Sequence, residues 1–178
     1  MLRLANGVRP VRKMIEIRIA DRKDADAISE VIREAFGVYR EEYTPEAFEV
    51  VTPPPDEIRA RFDEGPQWVA TLDGEIVGTV SVTVEDERLY IRSMAVRPQA
   101  QGHGIGHKLL DAIDEYANGT DFERIFLYTT NFSAGAKELY EKHGFKWVRD
   151  TTANEWYGVA GLEMDKKLEG KKRNVVGS

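Results

Sequence analysis

Isoleucines at 15, 17 and 19 alternate with Glu16 and Arg18, the period of two that turns one side of a strand toward a core. The period then lengthens. After Asp21 or Asp24, either suited to cap a helix N-terminus, Ile28, Val31, Ile32, Ala35 and Phe36 fall at helical spacing as one apolar stripe. From Val38 the pattern is interrupted by prolines 53 to 55, which predict a short irregular or helical piece and then a helix around Ile58 to Phe62. QWVATL and EIVGTVSV are β-rich runs joined by Asp73-Gly74, a dipeptide suited to the positive φ of a tight hairpin. A turn at Glu85-Asp86-Glu87 leads into LYIRSMAV and completes a three-stranded antiparallel meander. Beyond it HKLLDAIDEYANG sets Leu109, Leu110, Ile113, Tyr116 and Ala117 on one helical face and stops at Asn118-Gly119. RIFLYTT reads as a strand, SAGAKELYEKHGF as a short helix closed by Gly144, and KWVRD and GVAGLEMDKKL as two last strands.

Length and composition narrow this picture to one domain: 178 residues, 42% of them hydrophobic, suit a single core better than two small ones. Its expected span is 14–168, with a flexible arm at 1–13 and a flexible basic tail at 169–178. The 31 acidic against 25 basic side chains give a net charge of -6, a field that repels nucleic acid and anionic lipid, so neither is expected as a partner. No stretch approaches the roughly 20 apolar residues of a membrane span, and the N-terminus lacks the apolar run of a secretory signal. The absence of cysteine removes disulfides, thiolate metal sites and a Cys nucleophile, and fits the cytoplasm, where the protein is expected.

The candidate chemistry lies in QAQGHGIGHKLL, Gln99 to Leu110, where glycines 102, 104 and 106 separate a strand from a helix. Glycine amides can converge on a ligand, and a helix N-terminus adds unpaired N–H groups and about half a positive charge. A phosphate or pyrophosphate is the natural guest. A dinucleotide GxGxxG fails because position 107 is His and the preceding strands form a meander, and a Walker loop fails because Gly102 leads to His107 and Lys108. His103 and His107 stand four apart across a loop, with Gly104 where a zinc-protease HExxH has Glu, so no metal is expected.

What remains is VxPxxQGxGxG, Val96 to Gly106, followed about thirty residues later by AxxLYxxxGF, Ala136 to Phe145. The pair resembles the signature of the GNAT superfamily of acyl-CoA-dependent N-acyltransferases, and from Ile15 to Leu168 the order of elements is similar to that family's. The resemblance implies an α+β fold: a mixed, largely antiparallel sheet of six to seven strands, splayed between the fourth and fifth, with helices on both faces. It implies acetyl-CoA as cosubstrate, its pyrophosphate on the backbone of Gln101, Gly102, His103, Gly104, Ile105, Gly106 and His107. Its pantetheine arm and thioester carbonyl would meet Met94, Ala95 and Val96, whose amides act like an oxyanion hole. Tyr140 matches the family's tyrosine and would give a proton to the departing thiolate. Where relatives carry an asparagine seven residues earlier this chain has Ser133, with Asn131 two residues before it; either is a candidate for the pantetheine contact, and Ser133 also suits the cap of the short helix.

Many relatives place a glutamate on the fourth strand as general base, whereas LYIRSMAV offers Arg92 and Ser93 instead. Glu85 and Glu87 are the nearest carboxylates and the candidate bases, with Tyr90 and Tyr128 behind them. Arg97, Lys108 and Lys142 are candidates for the coenzyme phosphates. Eight carboxylates between Glu41 and Glu64 against Arg59 and Arg61 point to a small cationic amine as acceptor, walled by Tyr39, Tyr43, Phe48, Trp156 and Tyr157. A second copy in a homodimer is left open. The rival readings are a non-catalytic acyl-CoA sensor or interaction domain, and an acetyltransferase acting on a protein N-terminus or lysine.

Overall fold

The computed structural model describes residues 12–133 and 135–169, so the arm and tail expected at 1–13 and 169–178 lie almost wholly outside the described residues. Seven strands and five α-helices follow in the order β1 (Ile15–Ile19), α1 (Ala25–Gly37), α2 (Pro45–Val51), α3 (Pro55–Arg61), β2 (Gln67–Leu72), β3 (Glu75–Glu85), β4 (Arg88–Val96), α4 (Ile105–Asn118), β5 (Arg124–Thr129), α5 (Ala136–Lys142), β6 (Lys146–Thr151) and β7 (Gly161–Lys167). The strands form one sheet ordered β1-β2-β3-β4-β5-β7-β6. Every pairing is antiparallel except β4 with β5.

Turn chemistry explains the meander: Asp73 and Gly74 take φ of 51° and 87°, and Asp86 and Glu87 take 50° and 59°, so both links are two-residue turns whose twist matches the flanking strands. The prolines start helices instead of breaking them. Thr44 accepts from the Ala47 amide to cap α2, with Pro45 in its first turn, and Pro55 opens α3 three residues ahead of the expected start, because a first-turn residue needs no N–H partner. Asp21 and Asp24 form a reciprocal capping box on a 3-10 turn that leads into α1.

Two apolar layers flank the sheet. On one face Ile105, Leu109, Leu110, Ile113 and Ala117 of α4 bury against Trp68, Ala70, Val80, Val82, Leu89 and Ile91. Tyr116 is only partly buried, edge-on to Trp68 at 5.3 Å. On the other face Ile28, Val31 and Ile32 of α1 and Ile58 of α3 pack on Val69 and Ala95. Fully burying each such side chain is worth about 1.5–3 kcal/mol, which fixes α1 and α4 as the two slabs between which the sheet is held. The first strand departs from its pattern: Ile15 and Ile17 pack on the core, but Ile19 is 57% exposed at the sheet edge.

A bulge interrupts β4. Thr79 faces Ala95 and Ser81 faces Arg92, so Ser93 and Met94 together oppose Val80, and Ser93 takes a φ of 55°. The extra residue flips the alternation: Leu89 and Ile91 point to the α4 layer, while Ala95 points to the α1 layer and Met94 and Val96 turn back toward α4. Pairing of β4 with β5 is limited to Leu89 with Ile125 and Tyr90 with Phe126. β5 stays with β7 over its whole length. The sheet therefore opens between Ile91–Val96 and Leu127–Thr129, where the sequence resemblance places the splay.

Candidate active site

The opening is a cleft of ≈ 910 Å³ that runs from the loop before α4, between β4 and β5, to the α2–α3 segment. Its floor is the stretch of β4 beyond Tyr90, which keeps β3 on one side but has no paired strand on the β5 side, so the backbone N–H and C=O groups that face β5 are available to an extended ligand. Met94, Ala95, Val96, Gln101, Gly102, Gly104, Ile105, Gly106, His107, Ser133, Tyr140 and Glu85 all line it. Three other candidates stand off the wall. His103 bonds the Ala100 carbonyl through Nδ1 at 3.0 Å, Asn131 lies in an exposed turn, and Glu87 occupies the β3–β4 turn.

The glycine loop has the geometry of an anion cradle. Gly102 and Gly104 have φ of 82° and 74°, and a Cβ on either would meet nothing within 4 Å, so the space beside them is open. At Gly106 a Cβ would come within 3.0 Å of Leu139 Cδ2, and this tight approach of α4 to α5 is what glycine permits there. Gly104 is the N-cap, and the first helical hydrogen bond runs from the Lys108 amide to the Gly104 carbonyl. The N–H groups of Ile105, Gly106 and His107 precede that bond and have no place in the helical ladder. Together with the helix dipole they fit a diphosphate. Two of the three phosphate candidates outside the loop are otherwise engaged: Arg97 is buried on Glu34 at 2.6 Å and on the Ile76 carbonyl at 3.1 Å, and Lys142 pairs with Glu138 at 3.2 Å; Lys108 lies in the first turn of α4 and does not line the cleft. His107 bonds His143 at 2.9 Å. Among the described residues no three His, Asp or Glu side chains gather as a metal group.

Midway along the cleft, Tyr140 is 8% exposed and edge-on to Phe145 at 6.0 Å. Burial, reinforced by the nearby Tyr90, pushes its phenol well above the ordinary tyrosine range, so it keeps its proton at neutral pH and has an O–H to donate. Ser133 does not cap α5; Gly135 holds that position, and the Ser133 hydroxyl pairs with that of Thr130 at 2.7 Å.

At the far end the wall is aromatic and charged. Tyr39, Tyr43 and Trp156 line the cleft, but Phe48 and Tyr157 do not. Tyr43 packs edge-on against Phe132 at 5.0 Å, and burial raises its pKa to about 12. None of the eight carboxylates between Glu41 and Glu64 lines the cleft, so the ground for expecting a cationic acceptor is absent from the site itself. Arg61, Arg92 and Arg149 line it instead, together with Glu85 and Glu155. Arg149 is held by Glu155 at 2.7 Å and Glu163 at 3.0 Å. Arg61 bonds the Ser93 hydroxyl at 2.9 Å and Glu57 at 2.9 Å; Arg92 reaches Glu64 at 2.5 Å. The guanidinium of Arg61 is pulled below its usual range by burial and then by Arg92. Desolvation raises the half-buried Tyr90 phenol, Glu85 adds to the rise, and Arg92 opposes it. Sequence reasoning missed the arginine pair and the bulge; the one local sign was a charge inside the apolar run of β4.

Comparison with known proteins agrees with this geometry. Residues 30–145 match the model of the acetyltransferase (GNAT) family. The chain is 35% identical over 85 residues to a probable N-acetyltransferase camello of Xenopus tropicalis, covering 46% of this chain and 39% of that protein. It is 34% identical over 97 residues to an N-acetylaspartate synthetase of Danio rerio, covering 53% of this chain and 33% of that protein. The chain thus spans well under half the length of these relatives. The PaiA N-acetyltransferase of Thermoplasma acidophilum, solved in complex with coenzyme A, superposes with a TM-score of 0.69 at 22% identity, covering 86% of this chain and 99% of that one.

Proposed function

The chain belongs to the acetyltransferase (GNAT) family, and from that premise we propose that it carries an acetyl group from acetyl-CoA to the nitrogen of a small primary amine, both bound together in the cleft. The observation that carries the reading is the continuity of one cleft from an anion cradle, past an open strand edge, to a buried and protonated tyrosine. Acetyl-CoA supplies an activated acyl carbon. The loop amides of residues 101–107 hold its diphosphate, with Gln101, Gly102 and His107 on the cleft side, and the edge of Met94, Ala95 and Val96 receives the arm and the thioester carbonyl.

In this reading Glu85 takes the proton from the amine, directly or through one water, since it lines the cleft whereas Glu87 lies in the turn. The amine nitrogen bonds to the acyl carbon, the carbon–sulfur bond breaks, and the sulfur leaves with the proton of Tyr140. Proton count is kept when Tyr140 recovers one from solvent. A thiol of pKa about 8.5 is a better acid than this phenol, so transfer to the thiolate runs uphill on its own; Tyr140 stabilises the sulfur by hydrogen bonding as negative charge develops, and replacement of its proton from solvent draws the step forward. The name of the Danio rerio relative gives the N-acetyl derivative of a small amino acid, which supports a small acceptor over a protein lysine. Residues 12–133 and 135–169 contain no helix long and apolar enough to cross a membrane.

The test is thiol release from acetyl-CoA in the presence of an amine library, with the product identified by mass. Amine-dependent release supports transfer. Saturable coenzyme binding with no release from any amine supports the sensor instead.

A further inference from the structure

The charges at the far end of the cleft have a pattern the acetyl-transfer reading does not require. Two guanidiniums converge on the β4 bulge, one from α3 and one from β4 itself, and both line the cleft. Their side chains are 9% and 21% exposed for Arg61 and Arg92, whereas the carboxylates that answer them, Glu57 and Glu64, are 53% and 47% exposed. The compensation therefore comes from the solvent side. Arg92 Nε is fully buried and is the only such side-chain atom among the described residues with no hydrogen-bond partner. This nitrogen is closed to the cleft, so a ligand there meets the other donors of the guanidinium, whose side chain is 21% exposed. Arg61 donates to Ser93 and Glu57, which locks it beside Arg92 and keeps two like charges close. Such a pair is relieved by an anion, and a guanidinium's fork matches a carboxylate.

Glu85 lines the same cleft, and among the described residues it forms no ion pair with Lys, Arg or His. A cleft lined by two guanidiniums and an unpaired carboxylate fits a molecule that bears both charges.

We propose that the acceptor is a small amine carrying a carboxylate, an amino acid or a close analogue, and that Arg92, held in place by Arg61, binds this carboxylate while Glu85 faces the amine. The proposal rests on the acetyl-transfer reading and sharpens its substrate class. Arg92 is then a specificity-determining residue, and Arg61 positions it.

The experiment measures thiol release from acetyl-CoA with the common amino acids, each paired with its amide at every carboxyl group, and with spermidine and glucosamine as cationic controls. The expected result is an acid preferred over its amide by about tenfold or more in kcat/KM, the scale of a charge-assisted hydrogen bond in a desolvated site. Arg92→Gln should raise KM for that acid by about tenfold or more, leave the KM of acetyl-CoA alone, and remove the preference over the amide. Arg92→Lys should restore part of it. Coenzyme A binding by calorimetry establishes that each variant is folded, and the acid-to-amide ratio of the unaltered protein decides the matter if one is not. An amide, spermidine or glucosamine as the best acceptor overturns the proposal and leaves acetyl transfer standing, as does a folded Arg92→Gln with unchanged KM. No thiol release from any amine, in protein that binds coenzyme A, overturns the reading beneath it.

Discussion

At the α4 end of the cleft the groups that face the ligand are backbone amides presented by a glycine loop and an opened strand, whereas at the α3 end they are long charged side chains brought together from α3, β3, β4 and the segment before β7. The first kind of site is nearly indifferent to side chains and depends on φ angles and on where a strand loses its partner. The second depends on tertiary packing at every point. In the proposed reaction both are needed for two substrates to meet, and they respond differently to mutation: backbone sites fail through strain, side-chain sites through lost charge.

The largest effect separates chemistry from both ends. Tyr140→Phe removes the donor without emptying its volume, and kcat should fall by about 10²–10⁴-fold while the calorimetric affinity for coenzyme A stays the same. Glu85→Gln should slow turnover by about 10²-fold or more where Glu87→Gln leaves it near the original rate, as pH–rate profiles of the two variants would show. At the side-chain end, after the loss at Glu85, comes Arg92→Gln, which should act on the amine's KM and not on that of acetyl-CoA. The backbone end should show the reverse split. Gly104→Ala places a side chain at a φ of 74°, a strain of about 1–2 kcal/mol that the free loop sheds by relaxing and the coenzyme must restore, so its Kd should rise by roughly 5- to 30-fold. The KM of the amine should hardly move.

The smallest expected effect concerns pH. Burial raises Tyr43 from 10.0 to about 12, so its phenol is protonated in both folded and unfolded chains below pH 10 and contributes no pH dependence there. Above pH 10 the unfolded chain ionises first, and stability should fall as pH climbs from 10 toward 12. Tyr140 shifts in the same direction and adds to the slope. Denaturant unfolding at pH 8, 10 and 11 checks the sign.

The same contrast explains what was legible in the sequence. The glycine loop, the helix it opens, the hairpin at Asp73-Gly74 and the apolar stripes of α1 and α4 are local patterns, and each stands where periodicity and turn chemistry put it. The splay between β4 and β5 was implied only by family resemblance, and the parallel pairing of these two strands was not read at all, because nothing in either strand's composition says with which partner or how far it pairs. The bulge was unreadable: Ser93 is a common strand residue, and its φ of 55° is imposed by packing on both faces of the sheet. The acceptor end misled for a related reason. A surplus of acidic residues from Glu41 to Glu64 describes the outside of that segment, since Glu57 and Glu64 answer arginines from the solvent side and none of the eight lines the cleft. Arg97 shows the same inversion, for a cation next to the loop is spent on Glu34 of α1.

The most direct test is a calorimetric titration of coenzyme A into the folded protein and into Gly104→Ala. The account predicts a saturable heat with one site per chain, weakened in the variant without loss of the fold. A well-folded protein that gives no heat, or a variant that binds as tightly as its parent, would contradict it.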